Sequence, residues 1–208
     1  MADTIRVLCV DDHFLVREGI SLVIERETDI RVVGAAASGD EALACYRALR
    51  PDVTLMDLQM PGMSGIDAIA RLRAIDPAAK IIVLTVLQGD EDIYRALQAG
   101  ATTYLLKDTL SQDLVRVIRE VHAGQRPVAP LVEARLTARA ATPALSDREV
   151  QVMELLSQGM RNKELAASLG ITERTAEVHV RNILTKLNVK DRTAAVSGAI
   201  RRGIIHLD

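Results

Sequence analysis

The sequence predicts an α/β domain, a doubly wound five-stranded parallel sheet of order 2-1-3-4-5, followed by a small all-α domain of four helices. Three observations predict it. From Ile5 to Gly124, short apolar runs alternate five times with stretches of helical spacing, and such strand–helix repeats build parallel sheets covered on both faces. From Ser146 onward every periodic stretch is helical. Between the two lies a Pro- and Ala-rich passage with no strand signal.

Each element has a local reason. The run IRVLCV (5–10) precedes a helix from Phe14, whose Leu15, Val16, Gly19, Ile20, Val23 and Ile24 share one side. IRVVGA (30–35) leads to a helix ending at Pro51, and VTLMD (53–57) to one ending at Pro77. KIIVLT (80–85) leads to a helix closing on Gly100, and TTYLLK (102–107) to one closing on Gly124. Proline cannot continue a helix and glycine adopts the left-handed end conformation, so these are stops with a stereochemical cause. Residues 125–143, with Pro127, Pro130 and Pro143, read as a linker holding a short helix between Leu131 and Arg139. The expected divisions are therefore 1–124, 125–143 and 144–208.

In the C-terminal part, Ser146 and Glu149 have the spacing of a capping box, with Leu145 and Val150 placed as a hydrophobic staple. That helix reaches Gly159, and a second runs from Asn162 to Leu169 or Gly170. Only Gly170 and Ile171 separate it from Thr172, which can cap a third helix. Two helices joined by so short a Gly-containing turn make a helix-turn-helix. RTAAVSGAIRRG forms the fourth helix.

Composition narrows the function classes. Cys9 and Cys45 lack metal-ligand spacing, which favours a reducing, cytoplasmic setting. His13, His122, His179 and His206 show no ligand spacing either. There is no run of 18 apolar residues and no charged-then-apolar leader, so no membrane partner is expected. The net charge is −2, but the C-terminal part is slightly basic, a weak hint of an anionic partner.

The chemistry gathers at strand ends. In open α/β sheets, ligands sit beyond the carboxyl ends of the strands, near the point where strand order reverses. The first strand delivers Asp11 and Asp12, the third Asp57, the fourth Thr85 and the fifth Lys107, whereas the second delivers only Ala36 and Ala37. Two carboxylates about 4 Å apart repel by roughly 4 kcal/mol at an effective dielectric of 20. One ammonium cannot offset three of them, but a divalent cation can, and an all-oxygen set suits Mg²⁺. Capping of the following helix is a lesser, compatible role for Asp11 and Asp12.

The third C-terminal helix carries two faces. Ala176, Val180, Ile183, Leu184 and Leu187 form an apolar stripe, opposite Arg174, Val178, Arg181 and Thr185, with Glu177 and Asn182 on the flanks. The polar face is either solvated surface or a reader of the DNA major groove. Lys186, Lys190 and Arg192 follow as candidate phosphate contacts.

The motifs DDH, LMDLQMPGMSG, IIVLT and ATTYLLK together resemble the flavodoxin-like receiver domain of two-component response regulators, over about residues 4–123. The resemblance implies that Asp57 is the phosphoacceptor for a partner histidine kinase. It also implies that Asp11, Asp12, Asp57 and the backbone carbonyl of Gln59 hold Mg²⁺. Lys107 and Thr85 would bind phosphoryl oxygens, and Tyr104 would turn toward the space Thr85 vacates.

NKELAASLGITERTAEVHVRNILTKLNVKDR resembles the LuxR-type DNA-binding domain. The whole is similar to NarL/FixJ-type response regulators, which implies a non-enzymatic transcription regulator that pairs as a homodimer on promoter half-sites of double-stranded DNA. Three features depart from the pattern. Asp108 follows Lys107 where proline is common, and Ser64 stands where Asp is frequent in a turn expected to matter little. A third is TAE for the usual TVK, which makes Glu177 a carboxylate where a lysine often touches DNA. Two rivals differ in class: a phosphatase with an aspartyl intermediate, which the position of Asp57 on the third strand disfavours, and a phosphorylation-independent regulator whose receiver is a dimerisation scaffold.

Overall fold

The computed structural model describes residues 4–206, and the expected outer boundaries at 1 and 208 lie outside them. The chain packs as two units, residues 1–87 with 93–133 and residues 88–92 with 134–208. The first unit thus takes in part of the stretch expected as linker.

The first unit is built on β1 (Ile5–Val10), β2 (Ile30–Ala36), β3 (Val53–Met56), β4 (Ile81–Thr85) and β5 (Thr103–Leu106), all parallel in the order 2-1-3-4-5. The intervening helices are α1 (Phe14–Ile24), α2 (Gly39–Leu49), α3 (Gly65–Ile75) and α4 (Asp90–Gln98), and α5 (Leu110–His122) closes the series. The alternation of a buried strand decides which side chains meet. Val7 and Cys9, Val53 and Leu55, Ile82 and Leu84, and Leu105 join Ile20, Ile24, Leu114, Ile118 and Val121 in one core, as a period of two requires. Leu8, Val10, Met56, Ile81 and Val83 are equally buried, which is why the strands read as continuous apolar runs.

Register aligns the rim. Val10 pairs with both Ala36 and Met56, and Thr85 with Leu106. The ladder then runs one residue further, with the Asp57 amide donating to the Val10 carbonyl at 2.9 Å and the Asp11 amide to that of Ala36 at 3.1 Å. Asp11 and Asp57 therefore leave the sheet side by side. The helix stops fall as expected at Pro51, Pro77, Gly100 and Gly124, and Gly100 and Gly124 both have positive φ. Lys107 opens a short 3-10 turn rather than extending β5. Among the described residues no peptide bond is cis.

A helix α6 (Pro130–Ala140) occupies the region expected to hold a short one, a residue longer at each end. In the second unit come α7 (Asp147–Ser157), α8 (Asn162–Leu169), α9 (Glu173–Leu187) and α10 (Arg192–Arg201). The capping box forms as the spacing predicts: Glu149 N donates to Ser146 Oγ at 3.3 Å, and Ser146 N to Glu149 Oε2 at 2.7 Å. Gly170 ends α8 in the left-handed region (φ 63°), and Thr172 Oγ1 accepts from Thr175 N to start α9. Ala176 and Ile183 are fully buried in a core with Val152, Met153, Leu165 and Ala195, and Val180, Leu184 and Leu187 pack against it. The predicted stripe of α9 is its buried face.

Candidate functional site: an acidic cluster and an exposed helix face

The β1–α1 turn is pinned before it presents any charge. Arg17 Nη1 donates to the Asp11 carbonyl at 2.6 Å while its guanidinium lies over Phe14. Asp11 itself is buried, and its Oδ1 accepts from the backbone N–H of His13 at 2.9 Å. His13 is the N-cap of α1 and offers no side-chain cap. The helix-cap role expected of the acids thus shrinks to one bond from Asp11, and Asp12 takes no part in it.

Asp57 is 3% exposed and directly follows β3. Its Oδ1 accepts from Leu58 N at 2.7 Å and from Gln59 N at 3.4 Å, and its Oδ2 lies 2.7 Å from Lys107 Nζ. The same ammonium stands 2.6 Å from Asp11 Oδ2. Burial opposes the charge on Lys107, but its contacts with Asp11 and Asp57 outweigh that and hold its pKa above the ordinary value. Lys107 is therefore cationic throughout the neutral range.

The turn after Asp57 depends on a missing side chain. A Cβ on Gly65 would lie 2.0 Å from the Asp57 carbonyl oxygen and 2.6 Å from Leu58 Cα. Only glycine lets the start of α3 approach the backbone of Asp57 and Leu58, where Gly65 N donates to the Leu58 carbonyl at 3.0 Å. Ser64, expected to matter little, caps α3: its Oγ accepts from Asp67 N at 3.1 Å and donates to Asp67 Oδ2 at 2.7 Å.

Asp11, Asp12, Asp57 and His13 each offer one ligand atom, all within 4.8 Å of one another. Asp11 Oδ2 and Asp12 Oδ1 are buried and accept no aligned hydrogen bond; the Lys107 ammonium lies 2.6 Å from the first, and His13 Nδ1 2.8 Å from the second. Carboxylates in such excess over ammonium fit a hard divalent cation, and a mostly oxygen donor set fits Mg²⁺. Gln59, the expected fourth donor, is exposed, with its peptide beside Asp57. Sequence spacing gave no hint that His13 would join this group, because its approach depends on the turn and not on a repeat.

Thr85 ends β4 fully buried, and Leu87 N donates to its Oγ1 at 3.4 Å. Tyr104, on β5, is also buried, and its hydroxyl donates to the Leu87 carbonyl at 2.9 Å. Both expected switch residues thus hold one residue of the loop after β4, Leu87, through its N–H and its carbonyl. The Tyr104 ring is already inside, so a turn inward is not required of it. Cys9, on β1, is pushed up to about 12 by burial and then by Asp11, so it is no thiolate nucleophile.

In the second unit, Arg174, Glu177, Val178, Arg181 and Thr185 are all exposed on α9, as is Asn182. Lys190 is exposed beyond its end. Two of the expected phosphate contacts are otherwise engaged. Lys186 Nζ lies 2.6 Å from Oε2 of the buried Glu149. Arg192 donates to Asn162 Oδ1 at 2.9 Å and to the Met160 carbonyl at 3.4 Å.

Comparison with known proteins agrees with both halves. Residues 7–119 match the family "Response regulator receiver domain", and residues 143–199 match "Bacterial regulatory proteins, luxR family". The response regulator protein VraR of Staphylococcus aureus is 40% identical over 207 residues, covering 97% of this chain and 99% of that one. The chain belongs to the LuxR-family response regulators. It is a DNA-binding regulator of the two-component type, a kind of protein not generally an enzyme. Among solved structures, this regulator resembles response regulator ChrA of a heme-sensing two-component system, with 37% identity, 97% and 99% coverage and a TM-score of 0.58. It also resembles RcsB from Salmonella enterica serovar Typhimurium bound to promoter P1flhDC with the phosphomimetic BeF3⁻, with 25% identity, 96% and 99% coverage and a TM-score of 0.73.

Proposed function

We propose that Asp57 of this regulator accepts a phosphoryl group from the phosphohistidine of a partner histidine kinase, and that the modification controls binding of promoter DNA by α9. The observation that carries the reading is the Lys107 ammonium, bridging Asp11 at 2.6 Å and Asp57 at 2.7 Å on the rim. A carboxylate is a weak nucleophile and the incoming group is anionic, so the work is neutralisation and positioning. A carboxylate oxygen of Asp57 forms the new O–P bond as the donor's N–P bond breaks, and that electron pair leaves on the imidazole nitrogen. Lys107 meets the phosphoryl oxygens from one side. Asp11, Asp12, Asp57 and the Gln59 carbonyl would hold Mg²⁺, which supplies the charge neutralisation that three carboxylates and a phosphate demand.

The phosphoryl group adds about −1.5 to −2 charges. In this reading the Thr85 hydroxyl turns to donate to it and lets go of Leu87 N, while Tyr104 keeps its hold on the Leu87 carbonyl. The loop after β4 is thereby biased between two arrangements. The output is a homodimer on two half-sites of double-stranded DNA about a helical turn apart, with Arg174, Glu177, Val178, Arg181 and Thr185 facing the major groove and Lys190 near the backbone. A cytoplasmic setting follows from both partners. The named RcsB complex, of a protein bound to a promoter with a phosphomimetic, supports the reading by likeness.

Incubation with radiolabelled acetyl phosphate and Mg²⁺ tests it. The wild-type chain takes up an acid-stable, base-labile label that the Asp57→Ala variant lacks, and operator affinity rises with labelling. A label that persists in the variant, or a wild-type chain that never labels at saturating metal, overturns the assignment.

A further inference from the structure

The exposed face of α9 holds charges that its own geometry should pair and does not. Glu177 stands three residues after Arg174 and four before Arg181, the two spacings at which opposite charges on a helix meet. Yet among the described residues Glu177 makes no ion pair or hydrogen bond, and Arg174 and Arg181 make none through their side chains, although other exposed pairs close at 2.5–2.9 Å, such as Arg116 with Asp113 and Glu120. The neighbours on the face cannot satisfy Glu177 either. Val178 is apolar and 43% exposed, and Thr185 donates its hydroxyl back to the Arg181 carbonyl at 3.0 Å. Glu177, one turn after the exposed Glu173, is thus without a partner among the described residues and is free to accept.

On a face that enters DNA, a free carboxylate on the flank meets a strongly negative groove. It lowers affinity unless a donor waits for it on a base edge. In the major groove only the amino groups of cytosine and adenine donate; guanine offers two acceptors and thymine one acceptor and a methyl group. Adenine sets its N7 acceptor beside the amino group, which repels a carboxylate but suits an amide. Cytosine has no acceptor next to its N4 amino group.

We infer that Glu177 is a specificity-determining residue, which selects a cytosine at one position of each half-site by accepting from its N4 amino group and rejects guanine and thymine there. This rests on the reading of α9 as the groove-entering helix. Arg174 and Arg181, unpaired on either side, offset the cost of bringing the carboxylate in. Discrimination at that position is on the order of ten- to a hundredfold, the range of one good base contact.

The experiment selects duplexes from a randomised pool with the full chain treated with acetyl phosphate, comparing wild type with Glu177→Ala, Glu177→Gln and Arg181→Ala. Affinities are then measured on the selected site and on the same site with the enriched cytosine replaced by a pyrimidine lacking the 4-amino group. Wild type should lose at least about tenfold on the analogue, Glu177→Ala should bind both duplexes alike, and Glu177→Gln should accept adenine at the position. If wild type and Glu177→Ala select the same base there and lose equally on the analogue, the inference is overturned while α9 stands as the reader, provided Arg181→Ala still weakens binding. If Arg181→Ala binds and selects as wild type does, the reading of α9 falls and this inference with it.

Discussion

Lys186 and Lys190 stand four residues apart and look alike in the sequence, but their surroundings separate them. The Lys186 ammonium is committed to a buried carboxylate, whereas Lys190 is exposed. Lys190→Ala should therefore lower the slope of log affinity against log salt by about 0.9 for one lost phosphate contact. Lys186→Met should leave that slope unchanged and cost about 1–3 kcal/mol of stability in the second unit, as loss of a charged hydrogen-bond partner does; fluorescence anisotropy across a salt series with parallel thermal melts separates the two outcomes. Glu149 predicts a pH dependence. Burial pushes its carboxyl upward, but Lys186 and Ser146 outweigh it and hold it below the ordinary 4.5. A depressed folded pKa contributes stability that is present above about 4.5 and is lost as pH falls through the lower folded value. The second unit should weaken on acidification below about pH 4.5, and Glu149→Gln should start weaker and show a flatter acid limb in urea titrations.

Elements impose conditions of another kind, which two glycines illustrate. Gly65 opens α3 against the backbone of Asp57, and a methyl group there collides with a carbonyl oxygen that has nowhere to go. Gly170 has nothing within 4 Å of such a methyl group but sits at φ 63°. Gly170→Ala should cost about 1–2 kcal/mol, the left-handed penalty alone, and leave α9 able to bind DNA. Gly65→Ala should cost more than that and abolish acetyl phosphate labelling, because the acceptor turn must shift. Labelling at wild-type rate in Gly65→Ala would show that the turn is not held by this contact. The strands teach the same lesson from the other side. Their periodicity and stops were legible because a parallel sheet buried on both faces demands unbroken apolar runs. The extent of α6 was less so, since a lone amphipathic turn in a Pro- and Ala-rich stretch has little to mark its ends.

At the scale of the molecule, the two cores share no residue. Substitutions in them should act separately, as independent sites do. Leu55→Ala should cost the first unit about 2–5 kcal/mol and Ile183→Ala the second a similar amount. Calorimetry should show each variant lowering one transition and leaving the other in place; a single transition that moves equally in both variants would mean that the units unfold as one.

The sequence by itself determined the sheet, its strand ends and hence the identity of the rim residues, because parallel strands carry period and polarity in their own order. It also determined the helix-turn-helix and the buried stripe of α9, through caps and spacing that act within a few residues. Only the tertiary structure decided who meets whom: that Lys107 spans Asp11 and Asp57, that His13 joins the acids, and that Glu149 claims Lys186 while Glu177 is left unclaimed. The Lys107 and Glu149 pairings join groups far apart in the chain and are set by packing distances, and that of His13 by the turn that folds it back on its own neighbours.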